Sequence, residues 1–123
     1  MVHGHRLGRD GEAAVVAHLR RLGWSIVARN WRPDSDLRGE VDIVAHDGPT
    51  LVFCEVKTRS GALAGDPLEA VTPAKARRLR ALAAAWLAEH PQPYRPVRID
   101  VVGVHWPPAA IAPSLHHVRD AVG

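Results

Sequence analysis

The length and composition of the chain indicate one globular domain over residues 1–123. Of the 123 residues, 46% are hydrophobic and 24% are charged, which predicts one hydrophobic core. Cys54 is the only cysteine, which excludes an intramolecular disulfide and a multi-cysteine metal centre. Two apolar-rich runs, 81–88 and 101–113, are shorter than the roughly 18–20 apolar residues of a membrane span. Since the first residues also hold no apolar signal core, we expect a soluble cytoplasmic protein without a membrane partner.

The charge balance of the chain is mildly basic. Lysine and arginine together number 16 against 13 acidic residues, a net charge of +3, which makes a polyanion such as nucleic acid a candidate partner. The surplus is small, and a chain rich in arginine and alanine is also what a GC-rich genome produces. Lys57 and Lys75 are the only lysines, so the positions of these two side chains carry more information than those of the arginines.

Hydrophobic periodicity and turn signals predict a mixed α/β protein. Apolar residues recur every three to four positions over residues 7–22, which predicts a helix that ends at Gly23. Thr72 and Pro73 are typical of a helix start, and Pro91 ends the second predicted helix after residue 89. Strands are expected at residues 24–28, 40–45, 51–57 and 97–105, and a further edge strand is expected after residue 106. A polar stretch at 29–38 follows the first strand. A loop at 60–67 and a helix-start signal at 66–69 follow the third. The order α-β-β-β-α-β, with this further edge strand, predicts a mixed sheet flanked by helices.

The two central strands form a predicted hairpin that brings acidic side chains together. If Gly48 and Pro49 are at its tip, facing residues have numbers that add up to 97, so Asp42 lies opposite Glu55. Opposed Cβ atoms are about 4.5–5.5 Å apart in an antiparallel pair. Two carboxylates at that distance repel each other unless a cation lies between them. Leu51 and Phe53 share the face of Glu55, which predicts that this face is buried.

A hard divalent cation such as Mg²⁺ is the natural mediator between these carboxylates, since Mg²⁺ takes one or two carboxylates together with waters and phosphate oxygens. Lys57 follows Glu55 on the same face and is placed to hold or polarise the water that attacks phosphorus. The alternative is an ordinary pattern of cross-strand ion pairs on an exposed hairpin face. The same register places Glu40 opposite Lys57.

Four motifs follow one another in order between Gly8 and Val104: GRDGEAA, GEVDIVA, LVFCEVKTR and VTPAKARRL. Together they resemble the YraN-type family of small predicted endonucleases, which is related to archaeal Holliday-junction resolvases. The GExD motif followed by EVKTR is the most specific part. The resemblance implies a restriction-endonuclease-like mixed sheet flanked by helices, and a metal-dependent nuclease that hydrolyses phosphodiester bonds of structured or branched DNA.

The resemblance also implies roles for individual residues. Asp42 and Glu55 would ligate Mg²⁺ or Mn²⁺, with the Val56 carbonyl as a further oxygen ligand, and Lys57 would be the catalytic lysine. Glu12, on the first helix, would complete the catalytic set, although the residues alone favour a solvated helix position for it. The implied nucleic-acid contacts are Thr58, Arg59, Lys75 and Arg78.

Several of these roles have alternatives that the sequence leaves open. Lys75 either contacts the nucleic-acid backbone or pairs with Glu69, and Arg78 either contacts phosphate or lies on a solvated helix face. Glu40 either supports the metal ligands or pairs with Lys57.

The whole protein also has alternative functions. It would be a nucleic-acid-binding module with little or no catalysis if its basic helix were the functional feature. It would be a partner-binding domain if the charged hairpin face were an interface. Because related resolvases act as symmetric dimers, a second copy of this chain is a further candidate partner, in a homodimer.

Three residues outside the hairpin receive structural predictions. Asp100, inside the strand at 97–105, is expected to pair with an arginine. His116 and His117 are assigned to a flexible tail, so we expect neither to bind a metal.

Overall fold

The computed structural model describes residues 2–61, 69, 71–93 and 95–122, with side chains from residue 7 onward. The predicted loop at 60–67 and the helix-start signal at 66–69 therefore lie largely outside the described residues. The elements are α1 (Val2–Arg21), β1 (Ser25–Trp31), β2 (Val41–Asp47), β3 (Thr50–Arg59), α2 (Pro73–Glu89), β4 (Val97–His105) and β5 (Ser114–Val118). Within this part of the chain, neither helix is long and apolar enough to cross a membrane.

The strands form one mixed sheet in the order β1-β2-β3-β4-β5. Neighbouring strands are antiparallel except for β3 and β4, which are parallel. A parallel pair requires a crossover connection, and α2 lies within that connection. The predicted mixed α/β fold, including the further edge strand β5, is confirmed.

The two helices cover opposite faces of the sheet because inward-facing side chains alternate along the central strands. The cluster under α1 contains Val15 and Leu19 together with Ile43 and Cys54 of the sheet. The cluster under α2 contains Leu82 and Trp86 together with Val44, Leu51 and Phe53. The β2–β3 hairpin is therefore buried on both faces along most of its length, as predicted for the face of Leu51 and Phe53.

Two of the predicted boundaries are wrong. The first helix begins at Val2 rather than at residue 7, and Leu22, predicted on its apolar face, is 45% exposed. The first strand continues through the predicted polar stretch to Trp31, because Trp31 packs edge-to-face on Trp86 with ring centroids 5.1 Å apart. Tertiary packing thus extends a strand that local composition would have ended.

The predicted hairpin register is confirmed. The paired residues run from Asp47↔Thr50 at the turn to Ile43↔Cys54, and each pair of numbers adds up to 97. Gly48 in the turn has φ +56°, a left-handed conformation that glycine adopts without steric cost. Strand β3 continues beyond Cys54 to Arg59, still paired with β4, so β2 and β3 separate at the end where the acidic residues lie.

Candidate metal centre

The Asp42 carboxylate lies where β2 and β3 separate. Beyond the pair Ile43↔Cys54 the ladder stops, and Asp42 Oδ2 accepts a hydrogen bond of 2.7 Å from the backbone N–H of Val56. The side chain therefore satisfies a backbone donor that the neighbouring strand leaves free. Asp42 is 9% exposed, which makes it one of the two buried acidic residues described. Val56, predicted to offer its carbonyl to a metal, holds this carboxylate through its N–H.

Three carboxylates from three segments converge at this point. Glu12 of α1, Glu40 just before β2 and Asp42 each contribute one oxygen atom, and the three oxygens lie within 4.8 Å of one another. The approach of α1 depends on Gly11, where a Cβ atom would overlap Thr58 Oγ1. A donor set made only of carboxylate oxygens fits a hard divalent cation such as Mg²⁺ or Mn²⁺.

Glu55 adds a fourth carboxyl group from β3. Burial raises the pKa of Asp42 most, followed by the charge of Glu55, and a hydrogen bond between these two carboxyls adds to the rise. The Val56 N–H lowers the pKa of Asp42 but does not outweigh the other causes, and the value rises to about 8. Near neutral pH Asp42 therefore stays protonated in the metal-free protein. The predicted proximity of Asp42 and Glu55 is confirmed.

Two amines lie beside this acidic group. Lys57 follows Glu55 on the α2 face of β3, and Lys75, in the first turn of α2, is within hydrogen-bonding reach of it. Burial is the main cause that lowers the pKa of Lys75, and the neighbouring Lys57 lowers it further, to about 8. The negative charge of Glu55 raises the pKa of Lys75. The only two lysines of the chain are thus brought together from residues eighteen positions apart in sequence.

Of the two alternatives that the sequence left open for Glu40, the ion pair with Lys57 is absent among the described residues. Glu40 Oε2 lies 3.1 Å from Arg32 Nη2, and Lys57 faces Lys75 instead. The physical reason is that the β2–β3 ladder ends at Ile43, so the register no longer holds at residue 40. Likewise, no ion pair of the described residues joins Lys75 to Glu69, and Lys75 lies close to Lys57 instead.

The remaining predicted nucleic-acid contacts lie on different faces. Thr58 is directed at Gly11 of α1, on the opposite face of β3 from Lys57. Arg59 is exposed at the end of β3, where its carbonyl accepts a 2.8 Å hydrogen bond from Trp106 N. Arg78 is exposed on α2, and its aliphatic stem lies beside Gly39. Lys75 and Arg78 thus place positive charge near Glu55, whereas Arg59 lies four residues further along β3.

Asn30 of β1 also belongs to this centre, although the sequence did not single it out. Its side-chain amide donates to Glu12 Oε1 at 2.9 Å and to Glu40 Oε1 at 3.3 Å. The predicted end of the strand at residue 28 had placed this residue in a polar turn. No local pattern distinguishes it, because its partners come from α1 and from the start of β2.

Metal binding by this centre is expected to release a proton near neutral pH. Because the folded protein holds a proton on Asp42 up to about pH 8, the affinity for Mn²⁺ should rise by about tenfold per pH unit below that value and level off above it. Isothermal titration calorimetry with Mn²⁺ at pH 6.5 and 9, in buffers of different ionisation enthalpy, measures the proton release directly. Equal affinity and no released proton at both pH values would contradict the assignment.

The same pKa shift gives the opposite trend for the stability of the metal-free protein. The unfolded chain ionises Asp42 near its ordinary value of 3.8, whereas the folded protein ionises it only near 8. The folded state therefore binds more protons between these values, and its stability should fall as the pH rises from about 4 to 8. Asp42→Asn should remove both the rise of Mn²⁺ affinity with pH and this fall of stability with pH.

The fold and this centre together define a small mixed α/β protein with clustered carboxylates and two adjacent lysines where two central strands separate. The sequence profile described as "Uncharacterised protein family UPF0102" matches residues 11–104, and the chain belongs to this family. This is the YraN-type family that the four motifs resemble, so that prediction is confirmed.

Individual relatives are similar over most of the chain. A UPF0102 protein of Acidothermus cellulolyticus is 50% identical, covering 94% of this chain and 92% of the relative. A UPF0102 protein of Clavibacter michiganensis is also 50% identical, and the match covers 98% of this chain and 99% of the relative. One of Parafrankia sp. is 55% identical over 81% of this chain and 82% of the relative.

Proposed function

We propose that this protein is a nuclease that hydrolyses phosphodiester bonds of nucleic acid with the help of Mg²⁺ or Mn²⁺. The observation that carries the proposal is the buried Asp42 carboxyl beside Glu55, with the Lys57 amine on the same face. Placing a buried carboxyl group beside a second, half-buried one is costly unless a cation or a proton lies between them. A strongly perturbed carboxyl next to charged partners is typical of catalytic sites.

Each residue of the centre has a role that its position supports. Asp42, Glu55 and Glu12 would hold the divalent cation through oxygen atoms, and the Val56 N–H keeps the Asp42 carboxylate oriented. A cation held there would supply positive charge at the phosphate and would lower the pKa of the attacking water. Lys57 would orient that water or stabilise the charge that develops on the phosphate.

The substrate is proposed from the charges around the centre and from the resemblance to resolvases. Lys75 and Arg78 lie near Glu55 and provide cationic groups that attract a phosphate backbone. The N-terminus of α2, capped by Thr72, directs its positive dipole end toward the same region. We propose structured or branched DNA as the substrate class.

Cleavage of branched and single-stranded DNA with Mg²⁺ or Mn²⁺ tests this function. The wild-type protein should produce cleaved strands, and both Asp42→Asn and Glu55→Gln should remove the product, since each removes a negatively charged oxygen ligand. Asp36→Asn is the matched control, because Asp36 is an exposed acidic residue of the loop between β1 and β2. It should cleave like the wild type.

Two outcomes would contradict the proposal. If Asp42→Asn and Glu55→Gln cleave as well as the wild type, the centre is assigned to the wrong residues. If DNA binds with a steep salt dependence but no product forms under any of these metal conditions, the protein is a nucleic-acid-binding module without catalysis.

A further inference from the structure

Asn30 bridges two of the carboxylates of the centre. Its Nδ2 donates to both oxygens of Glu12, at 2.9 and 3.3 Å, and to Glu40 Oε1 at 3.3 Å. We infer that Asn30 is a positioning residue, which holds the Glu12 carboxylate in place for a divalent cation shared with Asp42. This inference rests on the proposed metal-dependent function and extends it to a residue of β1.

The backbone at Asn30 supports a specific role for this side chain. Its φ is +50°, in the left-handed region that few residues other than glycine adopt and that asparagine tolerates better than most. The pairs Arg29↔Ile43 and Trp31↔Val41 flank it, which places Asn30 opposite Asp42 in the sheet. A strained conformation inside a strand persists when the surrounding structure enforces it, and such residues cluster at functional sites.

The neutral amide of Asn30 suits a metal centre better than a charged side chain would. An amide offers two N–H donors without a net charge, so it holds Glu12 and Glu40 together while leaving their negative charge available to attract a dication. The orientation of the amide follows from its partners, since the reverse orientation would direct its carbonyl oxygen at two carboxylates. A lysine or arginine at this position would neutralise the charge that the cation requires.

Glu40 supports Asn30 rather than competing for the cation. One of its oxygens accepts from Asn30, and the other accepts from Arg32 Nε at 3.2 Å. Arg32 thus compensates the charge of Glu40. No ion pair of the described residues joins Glu12 or Asp42 to a basic side chain, so these two carboxyl groups are the ones left for a dication. The chain Arg32–Glu40–Asn30–Glu12 is the kind of outer hydrogen-bond support that fixes metal ligands.

The test measures the Mn²⁺ affinity of Asn30→Gly by isothermal titration calorimetry. Glycine keeps the left-handed backbone without cost and removes only the amide, so the variant should fold with a melting temperature close to that of the wild type. Its Mn²⁺ affinity should fall by about 10–100-fold, the usual effect of removing an outer-shell partner of a metal ligand. Glu40→Gln should bind Mn²⁺ more tightly than Asn30→Gly, because its amide oxygen still accepts from Asn30.

A double-mutant cycle with Glu12→Gln distinguishes a positioning role from a general structural one. If Asn30 acts through Glu12, then Asn30→Gly should cause no further loss of Mn²⁺ affinity in the Glu12→Gln background. Additive losses, or an Asn30→Gly variant that binds Mn²⁺ like the wild type while Asp42→Asn does not, would overturn the inference and leave the proposed centre intact. A wild-type protein that binds no Mn²⁺ would overturn the proposed function itself, and this inference with it.

Discussion

Replacement of Lys57 by methionine is expected to lower the rate of DNA cleavage by about 10²–10⁴-fold, the usual contribution of a proton-transferring or charge-stabilising side chain. Methionine keeps the length of the side chain and removes its amine. The amine lies on the face of Glu55 without being a metal ligand, so the Mn²⁺ affinity of Lys57→Met should stay the same or increase. Single-turnover cleavage together with calorimetry separates the two quantities.

The control for this prediction is Arg20→Met, which removes one positive charge from an exposed position near the far end of α1. It should cleave like the wild type, which would show that the loss does not come from net charge. The pKa of Lys75 should rise in Lys57→Met, because the neighbouring amine that lowers it is gone. Full activity of Lys57→Met would show that this lysine has no part in the reaction.

Replacement of Asp100 by alanine is expected to destabilise the protein by about 3–5 kcal/mol, the usual cost of breaking a buried charge pair. Asp100 is fully buried and accepts from Arg98 Nε at 2.8 Å, from His117 Nε2 at 2.8 Å and from the Asp120 N–H at 2.9 Å. Alanine would leave these donors without an acceptor. Urea unfolding of the metal-free protein measures the change.

Asp47→Ala is the matched control, because Asp47 accepts from the same arginine at 3.2 Å but its side chain is 29% exposed. Removing a partly exposed partner should cost no more than about 1 kcal/mol. Asp100→Ala and Asp47→Ala with equal stabilities would contradict the assignment of Asp100 as the central acceptor of this network.

The stability of the protein at acid pH also depends on Asp100. Burial alone would raise the pKa of Asp100, but hydrogen bonds from His117, Arg98 and the Asp120 N–H hold it below its usual value. The stability that this ionised group contributes is therefore present above about pH 4 and is lost as the pH falls through the lowered pKa.

The Asp100 network also shows where local sequence is a poor guide. The predicted pairing of Asp100 with an arginine is confirmed by Arg98, two residues earlier on the same strand. The assignment of His116 and His117 to a flexible tail is wrong, since both lie in β5. His117 hydrogen-bonds Asp100 and lies 3.3 Å from His18 Nε2 of α1. The histidine pair is too short to show strand periodicity, and its partners are distant in sequence.

The sequence by itself determined the two helices, the hairpin register and the meeting of Asp42 with Glu55. Each of these follows from short-range rules: apolar periodicity, a proline after an N-cap, and alternation about a two-residue turn. It also determined the family, because four motifs keep their order and spacing. These features depend on residues close to one another along the chain.

Only the tertiary structure decided which groups complete the centre. Asn30 reaches Glu12 and Glu40 because β1 continues past its predicted end, and Lys75 reaches Lys57 because α2 begins over the end of β3. Glu40 turns to Arg32 because the β2–β3 ladder stops before it. The partners of Asn30 and Lys75 come from separate elements, and their meeting depends on where strands end and how helices pack, which no local pattern encodes.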